Sequence, residues 1–151
     1  MTVAIEIEHE GWRDIAGFDV LALRAAALAT DEIPGEIVLV LAGDAEVQIL
    51  NREWRGHDKP TNVLAFPANP DMPMPDSGEP LLGDVIVAYE TAVREAALQS
   101  KSVADHATHL IVHGILHLLG YDHDTEPEAE AMEARERAIL ASLGIKDPYE
   151  I

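Results

Sequence analysis

The chain has 151 residues, 48% of them hydrophobic and 25% charged, which suits one domain with a proper core. It has no cysteine, so disulfides and thiolate metal ligands are excluded. A formal net charge of −18 excludes long-range attraction to nucleic acid, and any contact of that kind needs a local basic patch. No apolar run approaches about 18 residues and no basic-then-apolar leader opens the sequence. Both points argue against a membrane or secreted protein and for a cytoplasmic one.

Thr2 to Glu8 sets Val3, Ile5 and Ile7 against Glu6 and Glu8, the alternation of a strand with one buried face. Phe18-Asp19 opens a helix, with Asp19 as cap and Phe18 stapled onto Leu23, that runs to about Thr30. Glu36 to Ala42 is apolar on both faces, as a central strand is, and strand–helix–strand implies a right-handed parallel crossover. Asp44 reads as the N-cap of a second helix, which ends near Trp54. Arg55 to Asn62 is a polar loop, and Val63 to Phe66 a short strand.

Pro67 to Pro80 holds five of the nine prolines and reads as an extended loop near a site. Leu81 to Ala88 is a fourth strand whose Gly83-Asp84 marks a bulge or a close approach by another group. Glu90 to Ser100 is an Ala-rich helix. Ser102 and Asp105 start the next helix, which ends at Leu119. Thr125 and Glu128 box the last one, which stops at Gly144. The expectation is a single α+β domain over residues 1–151, a small mixed four-stranded sheet packed with about five helices.

The chemistry concentrates in His113-Gly114-Ile115-Leu116-His117-Leu118-Leu119-Gly120-Tyr121-Asp122-His123. His113 and His117, four residues apart, share one helix face and can grip one metal ion. Gly120 ends the helix, and the reversed chain brings back His123 as a third ligand. Three imidazoles with one position open describe a catalytic zinc site, although histidine-only ligation also admits nickel and copper.

On a helical wheel His106 and His109 extend the same stripe. His109 reads as a supporting histidine and His106 as a surface one. Gly114 is expected to clear space beside the open metal position, and Tyr121 to pack back on Leu116. Asp122 either fixes a histidine tautomer or is a solvated turn acid. The ligand spacing is that of a zincin-like helix and matches the metzincin peptidases, but Gly114 stands where their Glu base follows the first His. Peptide hydrolysis is therefore a secondary reading.

Only ten Lys and Arg occur, and Arg52, Arg55 and Lys59 fall close together. Arg presents a planar fork to phosphate oxygens and Lys a point charge, so a tri-histidine metal opposite them suits phosphodiester hydrolysis. Trp54-Arg55-Gly56-His57-Asp58-Lys59-Pro60-Thr61-Asn62-Val63-Leu64-Ala65-Phe66-Pro67, Leu82-Gly83-Asp84-Val85-Ile86 and the His113 to His123 motif together resemble the YbeY family. The resemblance spans nearly the whole chain and keeps the motif order. His57 stands where the family often has Lys, and Ala65 where it often has Ser.

The resemblance implies a metal-dependent endoribonuclease of ribosomal RNA maturation, the 3′ end of the small-subunit RNA included, and of ribosome quality control. It implies His113, His117 and His123 as ligands of one divalent ion, zinc first, and Arg55 as the functionally important arginine. Arg52, Arg55 and Lys59 are the expected substrate contacts, with precursor ribosomal RNA and the ribosome or its proteins as partners. A ribosome-assembly factor with a structural metal is the competing reading. The acid-rich stretch from Asp122 to Glu136 suits either docking to a basic protein or a solvated helix face.

Overall fold

The computed structural model describes residues 2–31, 33–68 and 80–149. Four strands, β1 (Thr2–Ile7), β2 (Glu36–Ala42), β3 (Val63–Pro67) and β4 (Leu81–Ala88), form one sheet in the order β1-β2-β4-β3. β1, β2 and β4 run parallel, and β3 closes the edge antiparallel to β4. The helices are α1 (Phe18–Thr30), α2 (Asp44–Arg55), α3 (Tyr89–Leu98), α4 (Val103–Leu118) and α5 (Glu126–Ser142). The expected mixed four-stranded sheet with five helices is the observed one. Most of the proline-rich segment from Pro67 to Pro80 lies outside the described residues.

The sheet separates two apolar clusters, as the period-2 alternation of strands requires. Ile37, Leu39 and Leu41 of β2 and Val85 and Val87 of β4 pack with the alanine face of α1 and with Ile111, Ile115 and Leu116 of α4. Val40, Ala42, Ile86 and Ala88 join Val47 and Leu50 of α2 in the second cluster. A sheet covered on both faces explains why β2 carries no polar face.

Local details depart from expectation where a neighbouring element supplies the cap. α1 starts at Gly17 in the left-handed conformation (φ 71°) with no side-chain cap, and Phe18 stacks on the buried Trp12 instead of stapling to its own helix. Asp44 is the first residue of α2, not its N-cap; Glu46 accepts from the Gly43 N–H at 3.1 Å. The Asp44 carboxylate caps α3, accepting from the Thr91 N–H at 3.0 Å and its hydroxyl at 2.8 Å, while Glu90 accepts from the Asp44 N–H at 3.0 Å. Two helix starts thus satisfy each other's orphan N–H groups.

Four features position the site. The pairing of β2 with β4 shifts register between Glu36 and Ile37, leaving Leu82 as the extra residue of a bulge. Gly83, at φ +146°, passes the Phe66 carbonyl so closely that a side chain there has no room, and a Cβ would also stand 2.8 Å from Leu118 of α4. Ser102 caps α4 by accepting from the Asp105 N–H at 3.1 Å. The far end of α4 closes with Gly120 at φ +97°: the Tyr121 N–H bonds to Leu116 O at 3.0 Å and the Gly120 N–H to His117 O at 3.1 Å. That reversal aims His123 back at α4.

Candidate active site

α4 is buried along Leu110, Ile111, Val112, Ile115 and Leu116, and its remaining edge carries the histidines. The ligand atoms of His113, His117 and His123 all lie within 4.8 Å of one another. The Nε2 atoms of His113 and His117 are 3.2 Å apart. Two corners of a tetrahedron around zinc, at usual Zn–N distances, stand about 3.3 Å apart. Burial, and then the neighbouring His113 and His123, lower the pKa of His117, which favours the neutral ring a metal requires. The donor set and its spacing therefore fit one divalent ion held by the three predicted histidines.

Gly114 clears space, but not for the metal. A Cβ there would stand 2.8 Å from Val85 Cγ1 and 3.4 Å from Val63 Cγ2, so the glycine lets α4 lie close on β4 and β3. The expected role beside the open metal position is corrected accordingly. A peptidase base at 114 has no room in this packing. The Asp122 carboxylate is exposed and accepts from the N–H of the next residue, His123, at 2.8 Å.

His106 is not a surface residue. It is 3% exposed, and its Nε2 lies 2.9 Å from Glu95 Oε1, which also accepts from Asn62 Nδ2 at 3.1 Å. Burial lowers the His106 pKa in spite of Glu95, so a neutral ring donates its Nε2–H. A wheel drawn for one helix cannot show that α3 supplies a carboxylate over that edge.

A second carboxylate matters more. Glu136 of α5 has a side chain 0% exposed. It accepts from His113 Nδ1 at 2.6 Å, from His109 Nε2 at 2.9 Å and from the Tyr149 hydroxyl. Burial pushes its pKa up, but hydrogen bonds from His109, His113 and Tyr149 bring it down to about 2. Burial, followed by the Glu136 charge, pushes the Tyr149 phenol well above its usual range. In the sequence alone Glu136 is one of a run of acids. The available signal was its phase, since Met132, Glu136, Ile139 and Leu140 share the buried stripe of α5.

A cleft of about 820 Å3 opens between the α4 edge and the β3 side of the sheet. Arg55, His57, Lys59 and Lys101 line it together with His113, His117 and His123. Arg55 is the last residue of α2 and not part of the loop. It donates to Ala65 O of the edge strand β3 at 2.9 Å and lies 5.3 Å over the Phe66 ring. Asn51 is buried and donates to Lys59 O at 2.9 Å, which pins the following loop. Arg52 lies outside this lining; its nearest charged partner is Asp58, at 3.8 Å on the exposed surface. Lys101 was not singled out in the sequence, because a lone Lys between two helices carries no signal.

Residues 5–144 match the family model described as Endoribonuclease YbeY. The chain belongs to the endoribonuclease YbeY family. It is 51% identical to Endoribonuclease YbeY of Allorhizobium ampelinum, over 99% of this chain and 95% of that one. It is 50% identical to Endoribonuclease YbeY of Azorhizobium caulinodans, over 100% of this chain and 98% of that one. The solution structure of TM1509 from Thermotoga maritima matches with a TM-score of 0.60 and 23% identity over 99% of each chain, a likeness of fold. The family expected from the motifs is the family found.

Proposed function

We propose that this chain is a divalent-metal-dependent endoribonuclease that hydrolyses phosphodiester bonds of single-stranded RNA in ribosomal RNA maturation, the 3′ end of the small-subunit RNA included, and in ribosome quality control. The observation that carries this reading is one cleft that sets three converging imidazoles among Arg55, Lys59 and Lys101 in a chain of net charge −18. Cations gathered at one place on so acidic a protein suit a polyanionic substrate.

His113, His117 and His123 would hold the ion, with zinc as the first candidate. When bound there, a divalent ion supplies Lewis acidity toward a phosphoryl oxygen and lowers the pKa of water. Arg55 takes the catalytic role among the protein's own groups. One of its donors holds Ala65 O and its plane rests over Phe66, so the rest of its fork is presented at a set angle to phosphate oxygens, where it neutralises charge that builds as the bond breaks. Lys59 and Lys101 contact the flanking backbone phosphates as point charges.

The peptidase reading lacks its general base, since Gly114 packs against Val85. The exposed acids between Asp122 and Glu130 suit a basic ribosomal protein as docking partner in the cytoplasm. Metal analysis of the purified chain, paired with cleavage of precursor ribosomal RNA, tests the proposal. One divalent ion per chain is expected, with cleavage lost to a chelator and restored by zinc. Undiminished cleavage after complete removal of metal refutes it.

A further inference from the structure

Glu136 is a carboxylate with no exposure, on the stripe of α5 that also buries Met132, Ile139 and Leu140. Such a group is costly unless every oxygen finds a donor. Its two oxygens are used differently. Oε2 receives His109 Nε2 at 2.9 Å and the Tyr149 hydroxyl, neither of them on the metal-facing trio. Among the described residues Oε1 receives only His113 Nδ1, at 2.6 Å, the shorter of the two histidine bonds.

A bond that only tied α5 to α4 would be served by His109 alone. The division points to an anchored oxygen and an aiming oxygen. Because a carboxylate accepts, His113 donates its Nδ1–H to Glu136, and Nε2, the atom 3.2 Å from His117 Nε2, is the one left to face a metal. The ring is thereby held in the tautomer and rotation that a metal needs.

We propose that Glu136 is a positioning residue of the metal centre, orienting His113 through its Oε1 and thereby setting the affinity for the ion, with His109 and Tyr149 steadying the carboxylate from its other oxygen. This rests on the reading that the three histidines bind a divalent ion. Removing such a partner of a ligating histidine costs about 10- to 100-fold in metal affinity.

The test uses the full chain, zinc alone and a chromogenic chelator in competition. Glu136→Gln keeps the shape and removes the charge. Its zinc affinity should fall about 10- to 100-fold, while the far-UV circular dichroism of the metal-free chain is kept. Affinity within twofold of the parent overturns the proposal. The second readout needs no metal: nitrogen-15 NMR of metal-free protein, recorded above the measured titration of the ring, should show His113 as a single tautomer protonated on Nδ1, and mixed tautomers in Glu136→Gln. A His113 ring already mixed in the parent also overturns it.

Should Glu136→Gln not fold, Tyr149→Phe takes its place. It leaves Oε1 on His113 and removes one anchoring donor, so a smaller loss of zinc affinity is expected, and no loss counts against the proposal. A parent chain that binds no zinc, yet shows the single tautomer, refutes the metal reading and with it the affinity role, while leaving the orientation of His113 by Glu136 standing.

Discussion

The two walls of the cleft are held by forces of different size. On the α4 wall, His113 and His117 ride a helix whose Leu110, Ile111, Ile115 and Leu116 are all at most 5% exposed. Burying one such side chain stabilises by about 1.5–3 kcal/mol, and the histidine rings gain a carboxylate partner at 2.6 Å in addition. On the β3 wall the cations are exposed, and Arg55 and the Lys59 loop are held by hydrogen bonds, of 2.9 Å from Arg55 to Ala65 O, of 2.9 Å from Asn51 to Lys59 O and of 3.1 Å from Gln48 to Asp58, with Phe66 under the Arg55 guanidinium. A hydrogen bond of that sort contributes about 0.5–1.5 kcal/mol net. A metal centre tolerates little misplacement of its ligands, whereas a phosphate clamp acts through charge and accepts some play. The contrast predicts that changes on the first wall disturb metal binding first, and changes on the second disturb activity alone.

The largest expected effect is on the metal. His117→Ala should leave the purified chain without its stoichiometric ion and without RNA cleavage, because two imidazoles do not hold zinc tightly enough to survive purification. Retention of one tightly bound ion in that variant refutes the ligand assignment. Arg55→Ala comes next. Cleavage should fall about tenfold to a thousandfold, the order seen when a charge-stabilising donor is lost, with metal content and thermal midpoint unchanged. Parallel loss of stability and activity would erase the distinction between the walls.

Gly114→Glu sharpens the comparison from the other side. It restores the peptidase pattern in sequence, but the Cβ meets Val85 Cγ1 at 2.8 Å. Overpacking of that kind destabilises by about 1–3 kcal/mol, so thermal unfolding should shift down and no peptidase activity should appear. The smallest effects belong to the flanking cations. Lys59→Ala and Lys101→Ala should each weaken single-stranded RNA binding and reduce the slope of log affinity against log salt by about 0.7. Arg52→Ala, whose partner is Asp58 at 3.8 Å, should leave that slope unchanged.

Family, element order and the convergence of three histidines were legible in the sequence because they rest on short-range rules. His113, His117 and Gly120 lie within eight residues, and helical periodicity with a left-handed glycine stop places them without help from the rest of the chain. The alternation of β1 and the two-sided apolarity of β2 announced a strand with one buried face and a central strand in the same way. What only the tertiary structure decided were the partners that arrive from far along the chain. Asp44 reads locally as a cap of its own helix and instead caps α3, 47 residues on. His106 is covered by Glu95 from a different helix, and Gly114 answers to Val85 of β4. Glu136 looks like one more acid in a solvated run until α5 docks on α4, 23 residues from His113. A side chain's own periodicity tells which way it faces, but its charge state and its role depend on what packing brings opposite it.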